Sequence, residues 1–85
     1  MKKNTSFNIM KIKIYGADWC IDCIHVKEFL DSKKIQYQYI DISKNDKALL
    51  FVEEVNKGKR VIPTLTVNGV TYINPGISKL KNIIK

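Results

Sequence analysis

The 85-residue sequence predicts a small α/β domain: one four-stranded mixed sheet with helices on both faces. Three observations predict it. Apolar residues recur at period two or at three-to-four spacing in the order β-α-β-α-β-β-α. Asn68-Gly69 between two β-rich runs marks a two-residue hairpin. The length suits a single fold unit, since domains usually need ~100–200 residues.

The elements follow in order. Residues 1–10 read as a loose leader, with Met10 an alternative start, and residues 11–85 as the domain. Lys11-Ile12-Lys13-Ile14-Tyr15 alternates polar and apolar, the period of a half-buried strand. Gly16 through Trp19 form a turn. From Cys20 to about residue 33, Cys23, Val26 and Phe29 or Leu30 build one apolar stripe of a helix. Residues 35–42 are rich in Ile and Tyr and form a second strand, with Tyr37 and Tyr39 packing on its face. Ser43 is placed to cap a helix over residues 44–56, carried by Ala48, Leu49, Val52 and Val55 and ended by Gly58.

Residues 61–67 are β-rich but contain Pro63, which should open the strand, because proline is excluded from strand interiors. The hairpin then joins Thr64-Leu65-Thr66-Val67 to Val70-Thr71-Tyr72-Ile73. Asn74-Pro75-Gly76 breaks the strand, and residues 77–84 form a last helix with Ile77, Leu80 and Ile84 aligned. The first two strands need a helical crossover and must run parallel.

Composition narrows the function. A content of 45% hydrophobic and 27% charged residues is that of a compact protein rather than a disordered one. No apolar run reaches the ~18 residues of a membrane span. Lys2 and Lys3 resemble the start of a signal peptide, but Asn4, Thr5, Ser6 and Asn8 interrupt the apolar stretch that should follow. The chain is therefore expected in the cytoplasm. The net charge of +7 brings nucleic acid to mind. The basic residues, however, are fourteen lysines and the single Arg60, spread along the chain among acids, whereas base and phosphate readout leans on arginine. No nucleic-acid partner and no membrane partner is expected, and the chain is expected to act as a monomer.

Cys20 and Cys23 are the two cysteines of the sequence. A loop this short gives a disulfide of only about 2 kcal/mol, so chemistry outweighs stapling. A closed zinc site needs four ligands, and His25, on another helical face, is the one remaining soft ligand nearby. A site shared between two chains, holding zinc or an iron–sulfur cluster, remains the alternative use of the pair.

A Cys-x-x-Cys that follows a first strand and opens a helix, in this element order, resembles the thioredoxin fold in its minimal glutaredoxin-like form. Ile62-Pro63-Thr64 resembles the hydrophobic-proline step of that superfamily, and Trp19 precedes Cys20 as in many members. The likeness spans residues 11–84 and is nearest to mycoredoxin-type glutaredoxins, through residues 55–64 and Thr71-Tyr72-Ile73-Asn74-Pro75. Two positions depart from glutathione-using members. Ala17 stands where they commonly carry lysine, and Asn74-Pro75 where they carry a Gly-Gly pair. Cys-Ile-Asp-Cys differs from the usual Cys-Pro-Tyr-Cys and resembles the Cys-Pro-Asp-Cys of a thioredoxin-related group.

The resemblance implies a thiol–disulfide oxidoreductase with no tightly bound cofactor. It implies protein disulfides or protein–small-thiol mixed disulfides as substrates. The electron donor would be a low-molecular-weight thiol or a thioredoxin reductase. Only a thiolate attacks a disulfide, and a free cysteine is a few per cent ionised at neutral pH. Cys20, at a helix start, is the expected nucleophile, because unpaired N–H groups and the helix dipole favour its anion. Cys23, one turn further in, is the expected resolving thiol. Asp22 opposes thiolate formation, and its simpler role is to stabilise the first helical turn.

For substrate binding the expected residues are Trp19, Arg60, Ile62, Pro63, Asn74 and Gly76. The family likeness implies a cis Pro63, which would let Ile62 pair its backbone with an extended substrate. Trp19 reads equally as a packed anchor or a solvent-facing shelf. Lys57, Lys59 and Arg60 form either a solvated turn or a carboxylate site. Asn74 to Gly76 offer backbone to an anion, and His25 reads as an exposed helix residue.

Overall fold

The computed structural model describes residues 10–84. The leader expected over residues 1–10 lies outside the described residues except for Met10, whose side chain packs against the core. Four strands, β1 (Ile12–Gly16), β2 (Gln38–Asp41), β3 (Thr64–Val67) and β4 (Val70–Ile73), form one sheet in the order β2-β1-β3-β4. Three helices, α1 (Ile21–Ser32), α2 (Asp46–Val55) and α3 (Ile77–Ile83), complete the order β-α-β-α-β-β-α. β1 runs parallel to β2, and β3 is antiparallel to both β1 and β4.

Alternation along the strands sorts the side chains onto two faces. Ile12, Ile14, Leu65 and Val67 pack with Val26 and Leu30 of α1 and Leu80 of α3. Tyr15 and Ile42 pack on the opposite face with Ala48 and Val52 of α2. Helices therefore cover both faces, as the sequence predicts. Among the described residues no helix is long and apolar enough to cross a membrane.

Element ends shift for local reasons. Cys20 lies outside α1 as its N-cap, in extended backbone, rather than as its first helical residue. The second strand begins at residue 38 instead of 35. Lys34 takes a left-handed turn (φ 58°), and the Ile35 N–H donates back to the Leu30 carbonyl, which keeps residues 35–37 out of the ladder. Ser43 is not the N-cap of α2. Its N–H and hydroxyl both donate to the Asp41 carboxylate, and Asn45 takes the capping place by accepting from the Ala48 N–H at 2.9 Å. The end at Gly58 holds: at φ +90° its N–H donates to the Glu53 carbonyl. Pro63 immediately precedes β3, as expected. Asn68 and Gly69 both have positive φ, the geometry that matches the twist of a two-residue hairpin.

Strand register sets the site. Tyr15 pairs with Thr64, and Thr64 pairs with Ile73. The loop leaving β1, the step entering β3 and the turn leaving β4 therefore meet at one end of the sheet. Those segments carry Ala17 to Cys20, Ile62-Pro63 and Asn74 to Gly76.

Candidate active site

Cys20 is placed by its own backbone. Its N–H donates to the Ala17 carbonyl at 3.1 Å, its carbonyl accepts from Ile24, and its Sγ accepts from the Cys23 N–H at 3.2 Å. A sulfur thus occupies the position where a serine or aspartate oxygen usually caps a helix, facing unpaired N–H groups that favour negative charge. Both cysteines are reduced thiols. Cys20 keeps 8% exposure and Cys23 none. Burial, then the hydrogen bond toward Cys20 and the neighbouring negative charges of Cys20 and Asp22, push the Cys23 thiol up to about 12.

Gly16, the last residue of β1, makes room for Cys23. A β-carbon there would stand 2.6 Å from the Cys23 Sγ and 3.3 Å from the Tyr39 ring. In the sequence Gly16 reads as part of a turn, and the signal that marks it is a glycine ending a strand four residues before the first cysteine of the Cys-x-x-Cys.

The Ile62–Pro63 peptide is cis, the conformation that the family likeness implies. Pro63 is buried, and its carbonyl accepts from the Asn74 N–H at 2.7 Å, which ties the step to the turn after β4. Asn56 and Thr64 brace the same step. The Asn56 amide donates to the Val52 carbonyl at 2.8 Å and to the Thr64 hydroxyl at 3.3 Å, and that hydroxyl donates to the Val61 carbonyl at 2.7 Å. This bracing is invisible in the sequence, because Asn56 has the plain appearance of a helix end.

Two clefts open around the residues expected to bind substrate. Ala17, Trp19, Ile42, Ser43, Leu49, Arg60 and Ile62 line a mostly apolar groove of about 170 Å³. Trp19 is 78% exposed, which overturns the reading of it as a packed anchor. The Arg60 Nε donates to the Glu53 carboxylate at 3.1 Å, which fixes the guanidinium at the groove edge. Asn74 and Gly76 line a second, more polar cleft of about 290 Å³ together with Asp22, His25 and Ile77. Asn74 holds a left-handed backbone (φ 45°), and Gly76 is the N-cap of α3. Lys57 and Lys59 line neither cleft. Among the described residues no group of three or more His, Cys, Asp or Glu gathers where one could hold a metal ion.

Paired thiols at a helix mouth, beside a cis proline and on this sheet, define a thioredoxin-fold thiol–disulfide oxidoreductase. The family model for glutaredoxin matches residues 12–72. A Mycobacterium tuberculosis (strain H37Rv) protein named "Putative glutaredoxin" is 37% identical over 71 residues, covering 82% of this chain and 84% of its own. Mycoredoxin 1 of Corynebacterium glutamicum is 33% identical over 61 residues, covering 72% and 75%. Among solved structures, the thioredoxin-like protein BC3987 superimposes with a TM-score of 0.75 at 27% identity, covering 86% of this chain and 99% of its own. A buckwheat glutaredoxin–glutathione complex has the same fold, with a TM-score of 0.68 at 17% identity over 98% and 80% of the two chains. The chain belongs to the glutaredoxin family.

Proposed function

We propose that this glutaredoxin reduces protein disulfides and protein–small-thiol mixed disulfides by a dithiol cycle, with Cys20 as nucleophile and Cys23 as resolving thiol. The observation that carries this reading is the Cys23 N–H donated to the Cys20 Sγ at 3.2 Å, at the N-terminus of α1. That bond favours charge on Cys20 in the attacking state.

The Cys20 thiolate attacks one sulfur of the substrate. The Cys20–substrate S–S bond forms, the substrate S–S bond breaks, and the departing thiolate takes a proton. Cys23 then loses its proton and attacks the Cys20 sulfur, releasing the second substrate thiol and leaving a Cys20–Cys23 disulfide. Two electrons have passed to the substrate, and an outside dithiol or thiol pair must return them. Once Cys20 is in a mixed disulfide, its charge and its hydrogen bond no longer hold the Cys23 proton in place. Two of the influences that raise the Cys23 pKa thus fall away when that thiol is needed.

Trp19 and Ile62 supply an apolar shelf for the group behind the scissile sulfur, Arg60 a cation at its edge, and the Ile62-Pro63 backbone a pairing edge. Asn74 and Gly76 bound the opposite side. The donor is a low-molecular-weight thiol, as the likeness to a mycoredoxin and to a glutaredoxin crystallised with glutathione supports, or a thioredoxin reductase. The enzyme acts as a cytoplasmic monomer. Turnover of a protein–small-thiol mixed disulfide with each donor in turn tests the reading. Cys20→Ser should abolish turnover with every donor, and Cys23→Ser should abolish reduction of intramolecular protein disulfides. Retained activity in Cys20→Ser would refute the nucleophile.

A further inference from the structure

Tyr39 carries the one buried side-chain polar atom without a hydrogen-bond partner among the described residues, its hydroxyl oxygen. Leaving such a group unsatisfied destabilises the fold, so its presence calls for a reason. Its place in the fold supplies one. Tyr39 stands opposite Ile14 in the β1–β2 register, and its ring edge and the Cys23 Sγ converge on the bare face of Gly16, at 3.3 Å and 2.6 Å from a single point. Lys27, one helical turn beyond Cys23, holds its ammonium 3.9 Å from the ring centroid. A cation at that distance draws on the ring electrons and makes the hydroxyl a better donor.

We propose that Tyr39 is the donor held for the resolving sulfur: its hydroxyl donates a hydrogen bond to Cys23 as that sulfur takes on negative charge. This rests on Cys23 being the resolving thiol. No proton passes to or from the tyrosine. The Cys23 proton leaves with the departing thiolate, the Cys23 sulfur bonds to Cys20, and the Cys20–substrate bond breaks, as above. The reduced resting state has no use for the donor, because the neutral Cys23 thiol is a weak acceptor. The orphaned hydroxyl of the resting enzyme is thus satisfied in the state where buried charge must appear without water.

The charged and titratable groups around the tyrosine agree with this direction. Cys23 and Cys20 act on it from the start of α1, Asp18 from the loop before it, and Asp41 from its own strand, with Lys27 over its face. Burial and the negative charge of these sulfurs and carboxylates raise its own pKa, so the hydroxyl keeps its proton and stays a donor.

Reaction with dithiobis(nitrobenzoate) separates the two chemical steps in the full-length reduced protein. The first coloured thiolate is released when Cys20 attacks, and the second when Cys23 displaces the other half of the reagent from Cys20. Tyr39→Phe should leave the first phase unchanged and slow the second roughly tenfold at neutral pH, the effect of losing one bond to a charged group. The pH profile of the second phase should move to higher pH in the variant. A merely structural role would slow both phases together or neither, and either result overturns the proposal. A second phase that persists in Cys23→Ser would instead overturn the dithiol cycle itself. A second phase that needs Cys23 but ignores Tyr39→Phe leaves the cycle intact and removes only the tyrosine.

Discussion

Gly16 and Cys23 face each other across the junction of β1 and α1, with no room between them for a single carbon. A β-carbon on Gly16 would meet the Cys23 Sγ at 2.6 Å and the Cys23 Cβ at 3.2 Å. Cys23 is fully buried on a helix packed against the sheet, so neither side can yield cheaply. Gly16→Ala is therefore expected to destabilise the reduced protein by about 1–3 kcal/mol, the usual cost of overpacking a core. Urea unfolding of the two proteins measures it, and an unchanged midpoint would show that the helix start moves freely.

The acidity of Cys23 makes stability depend on pH in a defined direction. With its pKa raised from 9.0 to about 12, the native state keeps a proton that the unfolded chain gives up earlier. Below pH 9 both states are protonated and the group adds no slope. Between pH 9 and about 12 the native state binds more protons, so stability falls as pH rises through that window. The Cys20–Cys23 disulfide has no such group to titrate. Burial, the first cause of the raised Tyr39 pKa, acts in both forms, whereas the charges of the two sulfurs add to it only in the reduced one. Thermal midpoints of the reduced protein should thus drop more steeply from pH 9 to about 12 than those of the oxidised protein. Parallel curves would contradict the assignment.

The order of elements, the parallel first pair and the hairpin were all legible, because each depends on local spacing or on two turn residues. Pro63 was legible as a strand opener for the same reason. What escaped depends on contacts between distant segments. Gly16 reads as a turn residue until Cys23 is placed against it, and the Tyr39 ring reads as packing until its hydroxyl is found without a partner. Asn56 reaches Thr64 across eight residues, a bond that no periodicity announces. Trp19 admits two readings in the sequence, since exposure is a property of the assembled surface.

The start of α2 shows how a near neighbour wins a role that sequence alone leaves open. Ser43 and Asn45 are both good capping residues. Asp41 claims Ser43 through two hydrogen bonds, which leaves Asn45 to accept the Ala48 N–H. Asn45→Ala should therefore cost about 1 kcal/mol of stability. Ser43→Ala should leave α2 intact and act through Asp41, whose carboxyl is held below its ordinary value by Ser43. Because that carboxylate is favoured in the native state, its contribution is present above the ordinary carboxyl range and fades as pH falls through it. Unfolding of both variants at neutral and acidic pH separates the two roles. A larger loss in Ser43→Ala than in Asn45→Ala at neutral pH would reverse the capping assignment.

Asn56 offers the sharpest test of how the cis-proline step is held. Its side chain is nearly buried and joins the last turn of α2 to Thr64, immediately after Pro63. Replacing it by alanine leaves the Val52 carbonyl only the backbone N–H of residue 56, at 3.2 Å, and deprives the Thr64 hydroxyl of its donor, at a cost of roughly 1–2 kcal/mol in stability. The catalytic consequence should differ from that of a cysteine variant. Cys20 and its hydrogen bonds lie at the start of α1 and are untouched, so the first reaction with a small aromatic disulfide should proceed at its usual rate. Extended protein disulfides, which would lie along the Ile62-Pro63 backbone, should show a raised KM with little change in kcat. Steady-state kinetics on a small and a protein substrate side by side decide the matter. A loss of equal size for both would mean that Asn56 supports the whole fold rather than the binding edge.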